Sequence, residues 1–179
     1  MTNIMKLTPA AEREILVTRV FDAPRQLIFD AFTKPDMLKH WMLGPDGWTM
    51  PVCEMDLRVG GAYRWVWQSD ADGKRFGVVG VFREVVAPQR IVHTERFDPP
   101  WYPGEAEVAI LFVENAGKTT LTMTIVYPSR DTRDGAVKSG MEKGMARSYD
   151  RLEHLLASTD ARIAHEFRNT ATATPRRER

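Results

Sequence analysis

The sequence predicts an α+β domain: a curved antiparallel sheet of about seven strands wrapped around a long C-terminal helix, with two short helices after the first strand. Three observations predict it. Between Trp48 and Tyr127, apolar residues recur with the period of two that belongs to strands, interrupted by Gly-, Pro- and Asp-rich turns. After Pro128 the apolar period changes to three and four residues and holds to about Ala157. The connections between strands are short, which favours an antiparallel meander. One face of such a sheet needs cover, and the apolar stripe of the last helix is long enough to provide it.

The elements follow in order. Glu14–Phe21 is β-branched and apolar and reads as a first strand. Asp22-Ala23-Pro24 ends it, and Pro24 suits the entry to a helix. Residues Arg25–Phe32 place Leu27, Ile28, Ala31 and Phe32 on one helical face, and Pro35–Met42 reads as a second short helix. Gly44-Pro45-Asp46-Gly47 is a turn cluster. Thr49–Met55 and Ala62–Trp67 are the next strands, and the second puts Tyr63, Trp65 and Trp67 on one face. Asp70-Ala71-Asp72-Gly73 is a hairpin turn before a long strand, Lys74–Val86, in which Gly77 and Gly80 are expected to mark bends or bulges. Arg90–Phe97 returns the chain. A proline-rich loop, Asp98–Gly104, leads to the last hairpin, Glu105–Val113 and Lys118–Tyr127. Ser129 is the expected N-cap of one helix running to about Ala157, with Asp131 in its first turn. Its stripe is Val137, Met141, Met145, Leu152, Leu155 and Leu156, with Ser148 and Tyr149 alongside. Residues 1–12 read as an N-terminal extension, 13–158 as the domain and 159–179 as a polar, disordered tail.

Composition narrows the function classes. The 179 residues suit one domain, and 43% hydrophobic against 27% charged residues is a globular balance. With 25 basic and 24 acidic side chains the net charge is +1, which gives no electrostatic reason to expect nucleic acid as partner. No run is long and apolar enough for a membrane span, and Met1–Glu14 has no signal-like apolar stretch, so the expected location is cytoplasmic. The single cysteine, Cys53, permits no internal disulfide and reads as a small buried hydrophobe. Four scattered histidines carry no metal-ligand spacing, and no cofactor is expected.

Several segments together resemble a known family. They are Val20-Phe21-Asp22-Ala23-Pro24, Trp41 with Gly44-Pro45, Asp56-Leu57-Arg58-Val59-Gly60-Gly61, Gly80-Val81-Phe82-Arg83-Glu84-Val85, and Ser139-Gly140-Met141 through Gly144 to Ser148-Tyr149-Asp150-Arg151-Leu152. The chain from about Arg13 to Ala157 resembles the family related to the C-terminal domain of the activator of the heat-shock-protein-90 ATPase, within the START-like, polyketide-cyclase-like (SRPBCC) superfamily. The resemblance implies a helix-grip fold with a deep cavity between the sheet and the last helix, used for varied ligands. The eukaryotic co-chaperone carries a further N-terminal domain, for which about a dozen residues ahead of the first strand leave no room. The chaperone-activating role is therefore not carried over on the family name alone, and a chaperone contact is left open.

The candidate site residues share this expected cavity. Trp65 and Trp67, with Trp41, would stack on a flat apolar ligand, although the same pattern fits core packing. Trp101, in the proline-rich loop, is a candidate lid. Gly140 and Gly144 remove bulk from one helix face, and Met141 and Met145 beside them are adaptable walls. Met123, in step with Leu121 and Ile125, faces inward, and Tyr149 joins from the helix. His93 and Glu95 point to the same side of one strand and, if inward, supply a proton donor and acceptor. The expected function is binding of a small apolar molecule by a monomer or homodimer. The alternatives are a cyclase- or dehydratase-like enzyme with His93 as its weak catalytic candidate, and a co-chaperone-like interaction module.

Overall fold

The computed structural model describes residues 4–157. Eight strands form one antiparallel sheet: β1 (Lys6–Pro9), β2 (Glu14–Phe21), β3 (Trp48–Met55), β4 (Ala62–Ser69), β5 (Arg75–Val86), β6 (Arg90–Asp98), β7 (Ala106–Asn115) and β8 (Lys118–Val126). Their spatial order is β1-β2-β8-β7-β6-β5-β4-β3. All strands from β3 to β8 are sequential neighbours, as the short turns predict. The first long strand, β2, is inserted beside the last, pairing Glu14 with Val126 and Phe21 with Thr119. Helices α1 (Arg25–Thr33) and α2 (Pro35–Leu38) sit between β2 and β3, and α3 (Arg130–Lys138) and α4 (Met141–Ala157) follow the sheet.

Three details depart from the sequence reading. The segment expected as a simple extension contains β1, which pairs Lys6–Pro9 with Thr18–Ile15 of β2 and brings the strand count to eight. The single C-terminal helix is two: α3 ends at Ser139, and Gly140, at φ +82°, starts a new direction before α4. A side chain rarely adopts that conformation, so Gly140 breaks the helix rather than lining it. The bulge in β5 lies between Phe82 and Glu84, not at Gly77 or Gly80. Gly80 serves close packing instead, since a Cβ there would meet the Thr94 carbonyl at 1.9 Å and the Tyr63 ring at 2.5 Å. The polar tail assigned to 159–179 lies outside the described residues.

The core lies between the concave face of the sheet and the helices. On β2 the inward residues Ile15, Val17 and Phe21 are fully buried, and Arg19 between them is buried too. Its guanidinium pairs with Asp150 at 2.9 Å and with Glu153, which fastens the C-terminal half of α4 to the sheet. Ser129 caps α3, its hydroxyl accepting from the Thr132 N–H at 3.1 Å. Buried Arg133 donates to the Ala11 carbonyl at 3.0 Å and ties α3 to the β1–β2 turn. At the sheet's two edges stand Pro9 in β1 and Pro51 in β3, the latter beside a register shift between Thr49 and Val52. No helix among the described residues is long and apolar enough to cross a membrane.

Candidate functional site

A cavity of about 310 Å³ remains between the sheet and α4. Its helical wall is Met141, Gly144, Met145, Ser148 and Tyr149, the three- and four-residue steps of one helix face. On the sheet side, the wall repeats every second residue. β6 contributes Ile91, His93, Glu95 and Phe97, β4 contributes Trp65 and Trp67, and β8 contributes Met123 and Ile125. Phe32, Leu38, Trp41 and Pro45 close one end.

The aromatic wall is held by its own hydrogen bonds. The Trp41 indole is fully buried and donates to the Ala31 carbonyl at 3.0 Å. Trp67 donates to the Met42 carbonyl at 2.7 Å and stacks on Phe76, with ring centroids 5.0 Å apart. The loop carrying Gly44 is clamped to α4. Ser148 Oγ accepts from the Gly44 N–H at 3.0 Å, and Arg151 donates to the Gly44 carbonyl at 2.6 Å. Gly144 has no heavy atom within 4 Å of where a Cβ would stand, so the cavity is open beneath it.

Two polar groups face this apolar space. His93 is 4% exposed. The Tyr63 hydroxyl donates to the Thr94 carbonyl at 2.8 Å, and His93 Nδ1 lies 3.0 Å from that hydroxyl and 3.1 Å from the same carbonyl, which can only accept, so Nδ1–H is the donor. That network assigns the proton to Nδ1 and leaves Nε2 as an acceptor without a partner. Burial lowers the imidazole from 6.5 to about 4, keeping it neutral at physiological pH. The half-buried Glu95 side chain has no hydrogen bond or ion pair among the described residues. Burial raises its carboxyl from 4.5 to about 7. Burial also holds the hydroxyls of Tyr63 and Tyr149 protonated, and the Trp65 Nε1 and the Tyr149 hydroxyl are buried without partners.

Of the residues expected to form the site, Trp41, Trp65, Trp67, His93, Met123, Met141, Met145 and Tyr149 all line the cavity. Trp101 does not. It is 47% exposed, packed on Phe97, on Tyr102 and over Gly135 of α3, outside the cavity wall. The proline-rich loop sets its ring against Phe97 and α3 instead. Met55, Phe76, Phe82 and Phe97 are wall residues that sequence reasoning missed, although the last stands in step with His93 and Glu95. Cys53 is half-buried in β3, and burial pushes its thiol up to about 11. The Asp56–Arg58 pair, 2.8 Å apart and exposed, sits at the turn before β4.

A sheet gripping a terminal helix across an apolar cavity defines the helix-grip class of α+β proteins. Within that class, the chain belongs to the family described as Activator of Hsp90 ATPase homolog 1-like protein, whose model matches residues 22–157. It is similar to a solved protein from Rhodobacter sphaeroides, with 28% identity, a TM-score of 0.81, and coverage of 87% of this chain and 99% of that one. A protein from Chromobacterium violaceum matches at 28% identity and TM-score 0.72, covering 83% of this chain and 99% of the other. An AHSA1-like protein from Aeromonas hydrophila shares the fold at 19% identity and TM-score 0.61, over 77% of this chain and 92% of that one. Among curated proteins none matches the chain.

Proposed function

We propose that this protein binds a small, largely apolar molecule in the cavity between the sheet and α4. The carrying observation is the open volume itself, about 310 Å³ walled by tryptophan, phenylalanine and methionine inside an otherwise packed core. Protein interiors close such gaps unless something occupies them. Burying apolar ligand surface stabilises a complex by about 25 cal/mol per Å² before association costs. An open cavity of this size favours a receptor over a co-chaperone-like module, which would need an exposed surface instead.

The test fills the cavity. Gly144 sits in α4 on the cavity wall, and a Cβ there meets no heavy atom within 4 Å, so Gly144→Phe directs a ring into the void. Tryptophan fluorescence titrated with a neutral apolar probe, 2-naphthylmethanol, should report saturable binding to the wild type and its loss in Gly144→Phe, with the circular dichroism unchanged. Equal binding by both proteins would place the probe elsewhere and refute the proposal.

His93 and Glu95 on the same wall favour one second reading, acid–base chemistry on a carbonyl of the bound molecule. Its mark is turnover of a carbonyl compound that Glu95→Gln abolishes while binding persists. Unchanged turnover in that variant would remove it.

A further inference from the structure

The polar end of the cavity limits what the bound molecule can carry. Other buried charges of the chain are compensated from within. Asp30, 4% exposed, is paired with Lys34 at 2.9 Å and accepts from Gln26 at 2.9 Å. Buried Arg19 is paired with Asp150 and Glu153, and buried Arg133 with Asp134. Glu95 breaks this pattern: among the described residues it is the one carboxyl on the cavity wall, no Lys or Arg lines that wall, and no side chain pairs with its carboxyl. A buried carboxylate without a partner is costly, and the deficit is recovered when a cation arrives. The neighbouring His93 Nε2 is also an acceptor, so with Glu95 ionised this corner presents two acceptors to a ligand, beside the unpartnered donors Trp65 Nε1 and the Tyr102 hydroxyl. An ammonium group has donors only. The aromatic ring of Trp65, packed beside His93, adds a face for cation–π attraction to the same cavity.

We propose that the molecule the cavity takes is an apolar amine, its ammonium group against the Glu95 carboxylate and its hydrocarbon against the tryptophan and methionine walls. This rests on the cavity being a ligand site, and it specifies the chemistry of the ligand. The groups that face Glu95 are His93 on its own strand, Tyr63 from β4, Tyr102 from the loop before β7, and Tyr127 after β8. Burial, with the Glu95 charge adding to it, holds the three hydroxyls protonated, and burial keeps His93 neutral. None of them offers a competing cation.

Two probes of one shape test it: 2-naphthylmethylamine, a cation at about pH 8, and the neutral 2-naphthylmethanol, each titrated calorimetrically into the full chain and into Glu95→Gln. The wild type should bind the amine about tenfold or more tighter than the alcohol, and Glu95→Gln should bind both equally. At about pH 5, where the wild-type carboxyl is protonated, the preference should vanish. Binding of the alcohol without preference for the amine would overturn the inference and leave the apolar-site reading intact. A preference that survives in Glu95→Gln would overturn it too. Binding of neither probe would overturn both.

Discussion

Glu95→Gln in the ligand-free protein should raise stability at neutral pH and do nothing in acid. The carboxyl rises from 4.5 to about 7 on folding because burial disfavours its charge. Between those values the folded chain holds the proton more tightly than the unfolded chain, so stability falls as pH rises through this window. At about 1.4 kcal/mol per pH unit the full displacement corresponds to about 3 kcal/mol. Glu95 is half-buried in a cavity that water can enter, which reduces the expected effect to about 1–3 kcal/mol. His93 works in the opposite direction. Its value falls from 6.5 to about 4 on folding, so it adds stability as pH rises between these limits and masks the Glu95 slope in the wild type. Glutamine keeps the shape and removes the charge. The variant-minus-wild-type difference from urea unfolding at several pH values cancels His93 and every other titration. It should be near zero below about pH 4.5 and should climb to about 1–3 kcal/mol in favour of the variant above pH 7. A difference that stays constant with pH, or turns against the variant as pH rises, would refute the picture of an unpaired carboxylate in an apolar wall.

Two further substitutions probe the frame around the site. Gly80→Ala puts a Cβ on the Thr94 carbonyl and the Tyr63 ring, so it should cost about 3 kcal/mol by chemical denaturation and disturb the Tyr63–His93 hydrogen bond; a cost under about 0.5 kcal/mol would mean the strands part there more easily than described. Replacing Asp150 and Glu153 together by Asn and Gln leaves the buried Arg19 guanidinium without an anion and should cost about 2–4 kcal/mol, whereas adding Arg19→Met to the pair should restore much of it; no recovery in the triple variant would show that Arg19 contributes by its packing alone.

The sheet and most of the cavity wall could be read in advance because period-two alternation survives wherever a strand is regular. Tyr63, Trp65 and Trp67 share a face, as does Met123 with Leu121 and Ile125, and no bulge intervenes in either run. Elsewhere local patterning is silent. β1 is too short to alternate and exists through its ladder with β2. Gly140 looks like one more small residue in a helical stripe until its positive φ turns the chain. Trp101 is placed by a loop path that no periodicity records. That His93 and Glu95 share a side follows from spacing, but that the side is inward depends on a register that shifts at Phe82–Glu84. The absence of a partner for Glu95 is a property of the assembled wall: any of several wall positions could have held a lysine or arginine, and the sequence alone does not show which of them are neighbours.

The prolines at the margins of the sheet bear on how copies of the chain can meet. Pro9 has no N–H to offer a new strand, and Pro51, with the adjoining slip in register, interrupts the opposite margin. Growth by zipping one molecule's sheet onto the next is thus discouraged on both flanks. Self-association is thereby steered toward side chains on the faces and helices rather than the strand edges.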